Sequence, residues 1–138
     1  MYALSDLNYL AILVTAVVIF AIGALWYTVL FGKQWMAAHA YTPEQLEGMK
    51  TRMGMTYGLS FVAYLVLAAV MAVLVILLGI DTAVAGAKLG VLCWLGFVAT
   101  IGLTANLYSN KTFATYLIDA AYQLVFMVVA GVILAVWP

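Results

Sequence analysis

Four charge-free windows set the terms on which this chain can fold. No Asp, Glu, Lys or Arg occurs from Leu7 to Gly32, from Met53 to Ile80, from Leu89 to Asn110, or from Ala120 to Pro138. A helix needs about 20 predominantly apolar residues to cross the ~30 Å hydrocarbon core of a bilayer. Each window is about that long or longer. The rest of the chain agrees: 138 residues are 69% hydrophobic and 7% charged, with a mean hydropathy of +1.20. Soluble domains carry about 25% charge, so the composition excludes a soluble enzyme domain, a disordered chain and a nucleic-acid binder. Strict alternation of apolar and polar residues is absent, which argues against a β-barrel. In lipid the backbone must satisfy its own hydrogen bonds, which leaves helices. The expected fold is an all-α membrane protein with one domain over residues 1–138. Its four transmembrane helices are expected over about 7–30, 55–79, 83–107 and 115–137. The first has no basic residue before it and exceeds the length of a secretory signal, so it is expected to be retained.

Half of the ten charges fall in the connection from Phe31 to Gly54: Lys33, Glu44, Glu47, Lys50 and Arg52. Within it, Thr42-Pro43-Glu44-Gln45 reads as a capping box with proline at the first helical position. Leu46, Met49 and Met53 then recur at helical spacing, which predicts a short amphipathic helix on the cytoplasmic surface before the second span. The second connection, Gly79-Ile80-Asp81-Thr82, holds a C′ glycine and two candidate caps. The third, Tyr108 to Thr112, is also short. Short connections make sequential helices antiparallel neighbours, so two helical hairpins are expected. Lys33, Lys50, Arg52 and Lys111 lie on the first and third connections, against Lys88 near the second. The positive-inside rule then puts connections one and three in the cytoplasm and both termini outside.

Asp119 is the most costly side chain. It lies near the start of the fourth span, and intramembrane carboxylates mark ion paths or polar partners. Tyr122 and Gln123 share its helical face. Tyr27, Tyr57 and Asn106 sit at the same depth on other spans, so a polar cluster of Asp119, Tyr122, Gln123, Asn106, Tyr27 and Tyr57 is expected. The competing reading is structural: Asp119 snorkels or pairs with Lys111, and the polar stripe fixes packing. Lys88, in the opposite leaflet, is expected to snorkel. Helix packing is expected at Gly54 and Gly58, at Gly86 and Gly90, and at Gly96 and Gly102, with Gly131 and Ala135 on the fourth span. That pattern makes the third helix the central packing element. Trp26, Tyr27, Phe31, Trp35, Tyr57, Tyr108, Phe113 and Tyr116 form one interfacial belt, with Tyr2, Tyr9 and Trp137 on the other side. His39 is the single histidine and Cys93 the single cysteine, so no metal spacing or disulfide framework exists. No nucleophile–His–acid set and no phosphate loop is present, so neither enzyme activity nor a cofactor is expected.

Gly23-Ala24-Leu25-Trp26-Tyr27, followed by Phe31-Gly32-Lys33 and Trp35-Met36, resembles the opening motif of domain-of-unknown-function family 1761. Trp94-Leu95-Gly96-Phe97, Asp119-Ala120-Ala121-Tyr122 and Ile133-Leu134-Ala135-Val136-Trp137 resemble its later motifs. Where many members have Ser-Pro after the Trp-Tyr pair, this chain has Thr28-Val29. The resemblance implies a small bacterial membrane protein with four helices and brings no activity with it. The expectation is a multi-pass inner-membrane protein that acts as an interaction or accessory subunit, as a homo-oligomer or with other membrane subunits. The alternative is a small channel or transporter built on Asp119.

Overall fold

The computed structural model describes residues 4–137, and Tyr2 of the expected outer aromatics lies outside them. A single 3-10 turn, Leu4–Asp6, precedes α1 (Tyr9–Leu30). Then come α2 (Gly32–His39), α3 (Pro43–Thr51), α4 (Met53–Leu77), α5 (Ala83–Tyr108) and α6 (Phe113–Val136). The described residues contain no strand. The four helices α1, α4, α5 and α6 are long and apolar enough to cross a membrane.

Local chemistry sets where these helices stop. Asn8 accepts from the amide of Ala11 at 3.0 Å, so α1 starts at Tyr9, slightly later than Leu7. The capping box is present: Thr42 Oγ1 accepts from the Gln45 amide, and Gln45 Oε1 accepts from the Thr42 amide. Thr82 and Thr112 cap α5 and α6 by the first of these bonds alone, each hydroxyl accepting from the amide three residues on. The α4 helix closes in a Schellman motif. Ile80 N–H donates to the Val75 carbonyl and Gly79 N–H to that of Ile76, with Gly79 at φ +63°. The end of α5 repeats this with Lys111 on Asn106, Asn110 on Leu107, and Asn110 at φ 56°. The sequence pattern has no counterpart of α2, which fills the connection before α3.

The fourth span, not the third, is the centre of the packing. Helix α6 contacts α1, α2, α4 and α5, whereas α5 packs chiefly on α6, and α1 pairs with α4. The physical reason is the wide apolar face of α6. Ala120, Tyr122, Phe126, Met127, Ala130, Gly131, Leu134 and Ala135 are all buried. The first half of α5 buries one stripe of Gly86, Leu89, Gly90 and Cys93, and the rest of it only Ala99 and Asn106. Gly86 and Gly131 meet backbone to backbone, so a Cβ on either would run into the other's carbonyl group. One on Gly90 would run into the Met127 carbonyl. Such close approach is what small residues provide in lipid, where helices gain nothing from leaving water.

Three of the other expected packing glycines, Gly54, Gly58 and Gly96, do not behave as expected. A Cβ on Gly54, Gly58 or Gly96 would meet nothing within 4 Å, and one on Gly102 would make ordinary contact with Tyr116 and Gln123. Spacing alone could not separate these from Gly86 and Gly90, because the four-residue repeat is the same and only the facing helix differs. Residues 51–59, which carry Gly54 and Gly58, are exposed throughout.

Two of the long helices are interrupted by π turns: Trp26–Leu30 in α1 and Trp94–Val98 in α5. Each takes up one extra residue; the first closes α1 at Leu30, and the second rotates the later part of α5 to a new facing. In α1 the turn ends with Phe31 N–H donating to the Trp26 carbonyl at 2.8 Å. The local change of helix geometry at Thr28-Val29 therefore needs no proline.

Candidate functional site

Both π turns open at a tryptophan, and both tryptophans reach α6. Trp26 Nε1 donates to the Ile118 carbonyl at 3.1 Å, and Trp94 Nε1 donates to the Ala120 carbonyl at 2.9 Å. Between them, Tyr27 Oη donates to Asp119 Oδ1 at 2.6 Å. Three consecutive residues of α6 are thus held from α1 and α5 by aromatic donors. An indole N–H deep in an apolar span must find an acceptor, and a helix carbonyl has a second lone pair to offer.

Two further tyrosines extend the fastening. Tyr116 donates to the Ala99 carbonyl of α5 at 2.9 Å. Tyr122 is buried; its hydroxyl donates to the Ile19 carbonyl at 2.9 Å and shares a hydrogen bond with Tyr64 of α4 at 3.3 Å. Gly23 makes room for it, since a Cβ there would stand 2.7 Å from Tyr122 Oη.

The expected polar cluster is therefore divided. Asp119 joins Tyr27, and Tyr122 packs edge-on to Tyr27 with ring centres 5.4 Å apart. Gln123 lies instead along α5 beside Gly102. Asn106 is not part of the cluster. It is buried in the turn, where its amide donates to the carbonyls of Lys111 and Thr112. Tyr57 is also apart: its exposed ring meets Phe20 edge-on at 5.8 Å. Depth alone groups these two with Asp119, and depth ignores the direction each helix face points. Asp119 does not pair with Lys111 either. Among the described residues the one ion pair is Lys50–Glu47, on α3.

A second aromatic group adjoins Asp119 from the connection. Trp35 meets Tyr27 edge-on at 5.7 Å and His39 at 4.0 Å, and His39 stacks on Tyr41 at 4.8 Å. His39 Nδ1 lies 2.9 Å from the Trp35 carbonyl. The Tyr41 phenol is pushed above its ordinary value, first by burial and then by the charge of Asp119. The sequence pattern assigns Trp26 and Trp35 to an interfacial belt. The signal it leaves unused is the need of each for an acceptor or a ring partner. No group of three His, Cys, Asp or Glu side chains that could hold a metal occurs among the described residues. Lys88 is exposed on the outer face of α5, beside Val84, Val91 and Leu92.

Four long apolar helices, fastened through aromatic donors on the fourth and wearing an apolar exterior, define a small multi-pass helical membrane protein. The chain belongs to the family described as protein of unknown function (DUF1761), which matches residues 10–135. No curated protein and no solved structure matches it.

Proposed function

We propose that the protein is an interaction or accessory subunit of a bacterial inner membrane, where it self-associates or joins other membrane subunits. One observation carries this reading: Gly54, Gly58 and Gly96 have no intramolecular neighbour. Glycine inside a helix costs about 0.5–1 kcal/mol relative to alanine. Gly86, Gly90 and Gly131 recover that cost through close packing, and the open glycines recover it only against another helix. The proposed arrangement is two antiparallel hairpins, α1 with α4 and α5 with α6. The contacts within each pair support it, as does the tight Schellman turn that closes α5 ahead of α6. The distribution of Lys and Arg supports cytoplasmic first and third connections, with both termini outside and α3 lying on the membrane surface.

Replacing Gly58 with leucine tests the association. The substitution meets no neighbour and removes a helical glycine, so the single chain should be at least as stable as the wild type, by up to about 1 kcal/mol. Native mass spectrometry after gentle extraction should show an oligomer or partner complex lost. A wild-type protein that is already a lone monomer under those conditions would overturn the reading.

A second reading, a small channel or transporter, is favoured by the Asp119 carboxylate, which has no basic side chain within ion-pair distance. On that reading Asp119→Asn abolishes cation flux in liposomes while the melting profile is retained. Flux equal to wild type would exclude it.

A further inference from the structure

The Asp119 carboxylate meets a group of rings that the fastening of α6 does not require. Tyr27 turns one edge toward Trp35, and Trp35, His39 and Tyr41 are in mutual contact, with Trp35 and Tyr41 centred 5.6 Å apart. Helix α2 folds back on α6 to bring them there, and the Thr112 hydroxyl donates to the Ala38 carbonyl at 3.5 Å. All five side chains are half-buried, so each keeps part of its surface open. Lys33 and Lys111, the nearest basic residues in sequence to α2 and to the start of α6, are exposed, and neither forms an ion pair with Asp119.

The chemistry of this group selects its ligand. A small metal cation needs several oxygen ligands, and one carboxylate with a tyrosine supplies too few. A bulky, weakly hydrated organic cation gains from ring faces and from a single nearby carboxylate together. We propose that Asp119, Tyr27, Trp35, His39 and Tyr41 form a binding site for an organic ammonium group. Its source is either a free amine such as choline or the choline head group of a lipid. The inference concerns the carboxylate of the transport reading, which it deepens by naming the ligand class. It is tested by binding at equilibrium, so absent flux and absent binding are separate results.

The full chain, labelled with 5-fluorotryptophan, is placed in nanodiscs of phosphatidylglycerol and phosphatidylethanolamine. Choline is expected to move the fluorine resonance of Trp35 saturably and leave that of Trp94 in place. The neutral isostere 3,3-dimethyl-1-butanol should move neither. Calorimetric titration should show choline binding weakened about tenfold or more by Trp35→Leu and by Asp119→Asn. Trp35 lies outside the four long helices, and an unchanged Trp94 resonance verifies that the Trp35→Leu variant is folded. A response to phosphatidylcholine in the nanodisc but not to free choline assigns the site to a lipid head group. The inference is overturned if neither form moves Trp35. It is also overturned if the neutral alcohol binds as tightly as choline, or if both variants bind choline like the wild type.

Discussion

Replacing Gly131 with leucine should prevent α5 from seating on α6. The site has no slack: a Cβ on Gly131 already meets the Gly86 carbonyl, and Gly86 in turn is closed off by Gly131 and Ala135. Overpacking typically costs about 1–3 kcal/mol when neighbouring side chains can shift. Here the obstacle is backbone, so the cost should reach or exceed about 3 kcal/mol. Thermal unfolding in detergent, followed by the near-ultraviolet signal of Trp94, should show the cooperative transition lost or strongly lowered. Val84→Leu, on the same α5 but exposed, is the control and should melt like the wild type. Equal melting temperatures for the two variants would refute this packing of α5 on α6.

The second large effect concerns the Tyr27–Asp119 bond. Tyr27→Phe removes the donor and leaves a half-buried carboxylate with one fewer partner. Hydrogen bonds to charged groups contribute about 1.5–3 kcal/mol, while interhelical bonds measured in a membrane protein average about 0.6 kcal/mol with a maximum near 1.7. A loss of about 1.5 kcal/mol is therefore expected for Tyr27→Phe. Asp119→Asn keeps an acceptor and should cost less. The double variant should cost less than the sum, since both changes act on one bond. Strict additivity in that cycle would show that the charge of Asp119 adds nothing to the 2.6 Å contact with Tyr27.

The membrane class and the helices were legible in the charge-free windows, because a run of uncharged residues that long has few other solutions. The caps were legible for a local reason: Thr42, Gln45, Thr82 and Gly79 act on neighbours within a few residues. What could not be read was direction. Gly54 and Gly90 carry the same spacing signal, yet one faces open space and the other a helix backbone. Depth likewise groups Asn106 and Tyr57 with Asp119, although one closes a turn and the other packs on Phe20. The π turns add to the difficulty, because the extra residue in α5 moves every later side chain off the 3.6-residue pattern and the one in α1 shifts its last turn. The importance of Asp119 was visible from its cost, but its partner was not: Tyr27 lies 92 positions away in sequence.

The π turns also bear on how the helices are phased against each other. Ordinarily the two halves of a membrane helix are locked in rotation, so a good fit at one end dictates the fit at the other. On either side of its π turn, the two halves of α5 are set by separate contacts. The half before Trp94 follows the backbone of Gly131, and the half after Val98 offers Ala99 to Tyr116. Helix α6, which has no such turn, acts as the fixed ruler, and α5 changes pitch to keep in step with it.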